Sequence, residues 1–480
     1  MNDMILILNY SDEFSVEIAR RLRVEQIYSR IISGATSAAQ VRELAPRGVI
    51  LSGEAGSAPG IFDAGILELD IPVLALGHAA HMLLAAQGGA SAGVAFSERK
   101  ALIEYGESML FDGLTVGERY LEEAHTLMLP PEVQMTASAA GCTIAFEHTQ
   151  KKQYGVQFEL ERNDPEGSAV LKNFARMICG CSAWWSLDTA QHEAEQKLEE
   201  AASHSDYALC AVSGGVDSAV CALMTHRAFG ERMAAVFVDT GLMRMGEADK
   251  IREMFDRLGV PLTCVDRSEE IMVALRGRTG SEEKRAVVTR VLHEEMIRQS
   301  AGISGEKTLV LGTNYSDFLN TGSGELNWKD SDMAVVEPLL ELFKEEVREI
   351  ADRLGFEQEL VSRKPFPALG LGARILGEVT RARLTALRTA EAIFSEEISE
   401  AGLARKLYKY FPILVGGEAT MGSEMMILRA VTLSGGQLMP ARLPYDLIER
   451  TVARIMEKTP SIVRVFYDET PTPVGKESFT

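Results

Sequence analysis

Short apolar runs of strand length recur along the first third of this chain, with helical or turn stretches between them. MILILN (4–9), GVILSG (48–53), IPVLAL (71–76) and YGVQFELE (154–161) are the strands, and EFSVEIARRLR (13–23) is one of the intervening helices. Strands buried on both faces and linked by helices predict a parallel sheet, because neighbours running the same way need a long crossover. At 480 residues the α/β chain is also too long for one core, so two or three domains are expected.

A charged, alanine-rich helix, SLDTAQHEAEQKLEEAASH (186–204), reads as a connector. A second α/β unit follows it. YALCAV, a helix from about residue 217 to 229, MAAVFVD (233–239), the helix ADKIREMFDRLG (248–259) and PLTCVD (261–266) make two strand–helix–strand crossovers, and KTLVLGTN (307–314) supplies a later strand. From about Lys364 the pattern turns to helices and hairpin-like strands. The expected organisation is a first domain over residues 1–182, a linker helix over 183–206, a second parallel-sheet domain over 207–363 and a small α+β domain over 364–480.

Charge and cysteine usage narrow the function. With 49 Lys+Arg against 69 Asp+Glu the net charge is −20, which repels a phosphate backbone, so no nucleic-acid partner is expected. The six cysteines lack paired C-x-x-C spacing and read as thiols in a reducing compartment. No run approaches the ~20 apolar residues of a spanning helix, and no charged-then-apolar leader is seen, so a cytoplasmic protein without a membrane partner is expected.

SGGVDS (213–218) sits between a buried strand and a helix. Two glycines let the backbone curl so that successive N–H groups and the helix N-terminus face one anion, while Ser213 and Ser218 add hydroxyl donors. That is a pyrophosphate cradle. Asp217 inside it repels phosphate unless a cation bridges the two, which makes Mg2+ the natural companion. The plain alternative is a strand–helix turn with a capping serine.

SGGVDS resembles the signature of the N-type ATP pyrophosphatases, which join a substrate oxygen to the α-phosphate of ATP and release pyrophosphate. VFVDTGLMR (236–244), EEKR (282–285), LGTNYSD (311–317), EPLLELFKEEVR (337–348), PFPALGLGARILGEVT (365–380) and ARLPYDL (441–447) extend the resemblance to the GMP synthetase family within that group. The first domain is similar to that family's class I glutamine amidotransferase domain. The resemblance implies that Ser213, Gly214, Gly215, Val216, Asp217 and Ser218 bind the phosphates of ATP, with Ser213, Asp217 and Ser218 serving the reaction. It sets Val238 and Asp239 beside adenosine or metal, and Gly312 and Asp317 at the border of the pocket. Asp217 and Asp239 are the implied Mg2+ ligands, although Asp239 also reads as an ordinary strand-end carboxylate. Leu311 and Ser316 depart from the family's Q-G-T-x-Y-P-D.

In class I amidotransferases the turn after the fourth apolar run reads G-I-C-Y-G-M-Q, with a cysteine nucleophile, and the partner strand reads V-Q-F-H-P-E. Here Gly77 takes the cysteine's place and Glu159 the histidine's; only Glu161 is kept. Glycine cannot form the acyl intermediate, and losing such a nucleophile costs on the order of 10⁶ in rate. The neighbouring His78 reads as a surface or capping residue. A retained fold without glutaminase activity is expected.

The acceptor half departs as well. GSGELNWKDSDM (322–333) replaces the family's lid, leaving Lys329 as a candidate phosphate contact. Gly417, Glu418, Ala419 and Thr420 align with G-D-G-R, and the tail from Thr472 replaces K-P-P-A-T-I-E-W-E, with Lys476 as a substitute cation. Arg374 and Glu378, in ARILGEVT, are kept; Arg374 is a third acceptor-site candidate, and both also read as structural residues that pack the second domain against the third. The resemblance implies an AMP-forming ligase that uses ATP and Mg2+, with a homodimer formed through the C-terminal domain, and the departures from the family point to ammonia in place of glutamine and to a purine-like or otherwise altered small-molecule acceptor. An ammonia-fed GMP synthetase and a non-catalytic adenine-nucleotide sensor are the alternatives.

Overall fold

The computed structural model describes residues 3–10, 12–53, 63–96, 100–119, 121, 124–158, 160, 165–321, 328, 332–361, 366, 369–416, 424–434 and 437–473. The chain divides into two units, Met1–Ala190 and Gln191–Thr480, and the Leu187–His204 helix runs across the division. Among the described residues no helix is long and apolar enough to cross a membrane.

In the first unit one sheet runs in the order Tyr28–Ser33, Met4–Asn9, Gly48–Gly53, Val73–Gly77, Gln153–Val156, Cys142–His148, Val133–Ala139, Ala101–Tyr105, Gly117–Arg119. The first five strands are parallel, as the buried apolar runs require, and Ile5, Leu6, Ile7 and Leu8 are fully enclosed. The other half of the sheet is antiparallel, which the sequence reading did not anticipate. Its strands mix apolar and polar residues, and the Val133–Ala139 and Cys142–His148 pair turns through Ala140 and Gly141, both with positive φ, 49° and 80°. Two such residues in succession make the tight turn whose twist suits a hairpin, but without Asn-Gly they give little signal in sequence.

The second unit opens with a five-stranded, wholly parallel sheet in the order Leu262–Asp266, Met233–Asp239, Tyr207–Val212, Lys307–Val310, Met333–Val336. A mixed sheet built on Lys409–Val415, Glu424–Ser434 and Gln437–Pro440 follows, with the Arg381–Glu400 and Tyr445–Lys458 helices packed together beside it. One apolar core joins the two, from Leu242 and Ile271 through Leu371 and Leu387 to Phe394 and Leu428.

Candidate functional site

In the parallel sheet of the second unit, strand order reverses between Tyr207–Val212 and Lys307–Val310. From the first strand the chain crosses to Met233–Asp239 and Leu262–Asp266 on one side, then returns to Lys307–Val310 and Met333–Val336 on the other. Loops leaving the carboxyl ends of two such strands diverge and open a crevice, which is where open α/β sheets take ligands. Those two loops are residues 213–215 and 311–314, both singled out from sequence.

The first loop is shaped by its glycines and serines. Gly214 has φ +82°, and a Cβ there would lie 2.3 Å from Ile251 Cδ1, so only glycine fits without displacement. The Ser213 N–H donates to Ser218 Oγ (3.2 Å), Ser218 Oγ donates to the Gly215 carbonyl (3.0 Å), and the Gly215 N–H donates to Ser213 Oγ (3.4 Å). The Val216–Phe229 helix begins here with no side chain capping it at Gly215. An uncapped helix start behind a curled loop presents amide donors and a positive dipole end to an anion. Gly312 closes the other side: a Cβ on it would come within 2.9 Å of Ser218 Cα and 3.0 Å of Ser218 N. Its lack of a side chain lets the second loop pack directly on the helix start.

Charged side chains gather at the same point. Asp217 Oδ2 lies 3.4 Å from Lys344 Nζ, while Asp217 Oδ1 is buried with no hydrogen-bond partner. Leaving a buried polar atom unsatisfied costs on the order of 1–3 kcal/mol, and more for a charged group, so this oxygen is suited to a cation carried in with phosphate. The Asp317 carboxyl is pushed up by burial, opposed by Lys344 and reinforced by Asp217, and its N–H donates to Asn314 Oδ1 (3.0 Å). Asn314 is fully buried, and its Nδ2 lacks a partner. Neither Lys344 nor Asn314 was singled out from sequence. Lys344 carries the one available signal, a cation in the first turn of the Lys344–Arg353 helix, where the dipole disfavours it.

Mg2+ characteristically takes one or two carboxylates and completes its shell with phosphates and water. Asp217 meets that requirement. Among the described residues no three His, Cys, Asp or Glu converge to hold a metal unaided. Asp239 is engaged otherwise: its Oδ1 accepts the Gly241 N–H at 2.8 Å, and its carbonyl accepts the Arg267 N–H at 2.9 Å. The loop after it is clamped by Arg388, which donates to the carbonyls of Gly241 (2.6 Å) and Met243 (2.8 Å). Val238 packs in the apolar cluster formed by Leu209, Val236, Met296 and Leu309.

Arg374 is placed as a packing residue. It is 3% exposed, pairs with Glu391 at 3.2 Å and lies over the Phe411 ring, and burial pushes its guanidinium down to about 10. Arg244 holds the other oxygen of Glu391 at 2.9 Å, so the pair ties the loop after Met233–Asp239 to the Arg381–Glu400 helix. Lys329, Lys476, Glu159 and Glu161 lie outside the described residues, as do residues 417–420.

In the first unit, Gly77 ends the Val73–Gly77 strand and starts the His78–Ala86 helix with φ 58° and ψ −126°. A sharp turn of this kind is what lifts a nucleophile from a sheet in other hydrolytic folds. A Cβ at Gly77 would lie 2.4 Å from the Gly53 carbonyl oxygen, a backbone atom of the adjacent strand. The sharp turn is present, and a side chain at residue 77 would meet backbone of the adjacent strand.

Residues 190–374 match the family model described as NAD synthase. The whole chain is similar to glutamine-hydrolyzing GMP synthases. It is 33% identical to that of Geobacillus kaustophilus and 33% identical to that of Acetivibrio thermocellus, covering 98% of this chain and 98% of each relative. To that of Clostridium tetani it is 34% identical, with the same coverage.

Proposed function

The chain belongs to the GMP synthase family, and from that membership we propose that it is an ATP-dependent, AMP-forming C–N ligase fed by free ammonia rather than by glutamine. The observation that carries the ammonia reading is Gly77. At the turn where the family holds its cysteine there is no side chain, and a carbonyl oxygen stands 2.4 Å from where one would begin.

On this reading ATP lies with its phosphates at the loop and helix start of residues 213–218, and Asp217, with its unpaired Oδ1, would hold the Mg2+ that comes with them. When bound, the ion neutralises charge on the departing pyrophosphate. Lys344 balances Asp217 and reaches the same phosphates. An acceptor oxygen attacks the α-phosphorus, pyrophosphate leaves, and ammonia displaces AMP from the activated carbon. Positioning and charge stabilisation suffice for the first step, and no side-chain nucleophile is needed.

The acceptor is proposed to be purine-like but altered. Thr420 in place of an arginine, the rewritten lid at 322–333 and the tail after Thr472 remove several charge-assisted contacts to a nucleotide phosphate. A homodimer through the C-terminal sheet is supported by exposed Leu433, Met439, Val463 and Phe466 on its strands, and light scattering tests it. The functional test is AMP and pyrophosphate release with ATP and Mg2+, comparing ammonium with glutamine and xanthosine monophosphate with a panel of purines and nucleosides. Ammonium-dependent turnover with a different purine, and none with glutamine, is expected. Turnover of xanthosine monophosphate with ammonium identifies an ammonia-fed GMP synthase, and glutamine-driven turnover overturns the proposal.

A further inference from the structure

The loop after Met233–Asp239 takes its shape from residues far along the chain. Its successive carbonyls at Gly241, Leu242 and Met243 accept, in turn, from Arg388 Nη2 (2.6 Å), the Leu371 N–H (2.8 Å) and Arg388 Nε (2.8 Å). The N–H groups are used locally, Gly241 donating to Asp239 Oδ1 (2.8 Å) and Leu242 to Thr240 Oγ1 (3.3 Å). Packing is equally close: a Cβ on Gly370 would stand 2.5 Å from the Leu242 carbonyl oxygen, and Leu242 is fully buried.

This loop flanks the phosphate cradle. Met233–Asp239 runs parallel to Tyr207–Val212 with Phe237 opposite Val212, so Asp239 and Gly214 each lie two residues beyond that pair, at the same edge of the sheet. Lys307–Val310 is the neighbour on the other side of Tyr207–Val212. The loops after Met233–Asp239 and Lys307–Val310 therefore bound residues 213–215 from both sides. Gly312 fits one of these walls to the helix start, and Arg388 holds the other.

Arg388 is poorly explained as a device for stability. Its side chain is part-buried, and burial pushes the guanidinium below the usual arginine range, opposed by the charge of Asp239. Arg244 and Arg374 each pair with Glu391 on the same helix, but among the described residues no carboxylate is in ion-pair contact with Arg388. A desolvated cation whose direct partners are neutral carbonyls is costly to keep. What it supplies is a rigid planar fork that spans two carbonyls and fixes their spacing, which a flexible amine does not do.

We propose that Arg388 is a positioning residue for the nucleotide: its fork sets residues 240–243 as one wall of the ATP site, so that binding at the parallel sheet depends on the Arg381–Glu400 helix. The inference rests on the reading of residues 213–218 as the phosphate loop. Arg388 acts through the loop and not by touching ATP.

The test is calorimetric titration of the full chain with ATP and Mg2+, which needs no acceptor. Arg388→Ala should weaken ATP by roughly 10-fold or more, the scale of one lost charge-assisted hydrogen bond. Arg388→Lys keeps the charge without the planar fork and should recover part of that loss. Arg454→Ala is the control, because Arg454 Nη1 donates to Glu397 Oε1 on the same helix as Arg388 (2.8 Å): Tm should fall while ATP uptake stays at the parent's value. Should Arg388→Ala fail to fold, Arg388→Lys carries the test, with an affinity below the parent's expected. Parental affinity in the Arg388 variants, or an equal loss in Arg454→Ala, overturns the positioning role and leaves the nucleotide site standing. A parent chain that takes up no ATP overturns the nucleotide reading itself, and this inference with it.

Discussion

The chain builds the same local device twice, once in each unit, and the two copies have met different fates. Gly77 at φ 58° joins a buried parallel strand to a helix without a side-chain cap, and Gly214 at φ +82° leads into another such helix at Gly215. In the nucleotide loop the backbone supplies the chemistry, since amides and a helix end bind phosphate whatever the neighbouring side chains are. At the first-unit turn the family's chemistry rests on one sulfur. Gly77 stands where the family has that sulfur, and on the proposed reading the strand–turn–helix shape is kept while the reaction is lost. A site made of main chain tolerates drift, whereas a site made of one nucleophile does not.

The largest effect that can break this contrast is expected from Asp217→Ala. It removes the unpaired oxygen proposed to hold the cation and the partner of Lys344, leaving that lysine beside the phosphates alone. Loss of one preorganised charge-stabilising group typically costs 10²–10³ in rate, and ammonium-dependent pyrophosphate release should fall on the order of 10³-fold. A variant that keeps most of its turnover would move catalysis away from this loop.

Next comes Gly312→Ala, which keeps every polar group and changes only shape. The added Cβ meets Ser218 Cα at 2.9 Å and Ser218 N at 3.0 Å, both backbone, so the helix start has to shift. Overpacking of this kind costs about 1–3 kcal/mol, read as a lower Tm, and KM for ATP should rise with it. An unchanged KM would mean that the second loop does not set the cradle's shape.

Asp317→Asn should move stability and activity in opposite directions. Burial raises the folded carboxyl above its ordinary value, so between about 3.9 and that raised value the folded state holds more protons than the unfolded one. Stability is then lost as pH rises through the window. The asparagine variant should therefore melt higher than the parent at neutral pH, with the gain vanishing once pH falls below the ordinary carboxylate range, while turnover drops. Melting curves across pH check the first part, and a variant less stable at pH 7 would show that Asp317 is stabilised when charged.

What sequence made legible in these regions was whatever sits in one short run. Residues 213–218 carry their own strand, turn and helix start, so the cradle could be read without a structure. Lys344 could not, because it reaches Asp217 only after the sheet brings distant segments together; Asn314 lies three residues before Asp317 in a local helix-start contact and was missed although it sits in the same short run. Arg374 stays open between two readings for the same reason as Lys344. As a lone arginine in a kept motif it reads as an anion contact or as a packing residue, and only Glu391, a full helical segment later, shows the buried ion pair. The antiparallel half of the first sheet was illegible because Ala140 adopts positive φ without a residue type that announces it.

The smallest expected change is the sharpest for the comparison: Gly77→Cys should leave glutamate release from glutamine at the buffer blank. Restoring the sulfur restores neither the base, replaced by Glu159, nor the room for a Cβ, which meets the Gly53 carbonyl oxygen at 2.4 Å. A non-glycine residue at this φ costs about 1–3 kcal/mol, and the added Cβ also meets a backbone oxygen, so Tm should fall at least as far as in Gly312→Ala, while ammonium-dependent turnover in the second unit stays as it was. Adding Glu159→His in the same chain completes the pair of chemical groups without clearing the carbonyl. If that double variant hydrolyses glutamine, the turn is open to a side chain, and the two substituted positions alone separate it from an active glutaminase. If it does not, the two side chains are insufficient on their own, as the 2.4 Å approach of the Gly53 carbonyl to a Cβ at residue 77 leads one to expect.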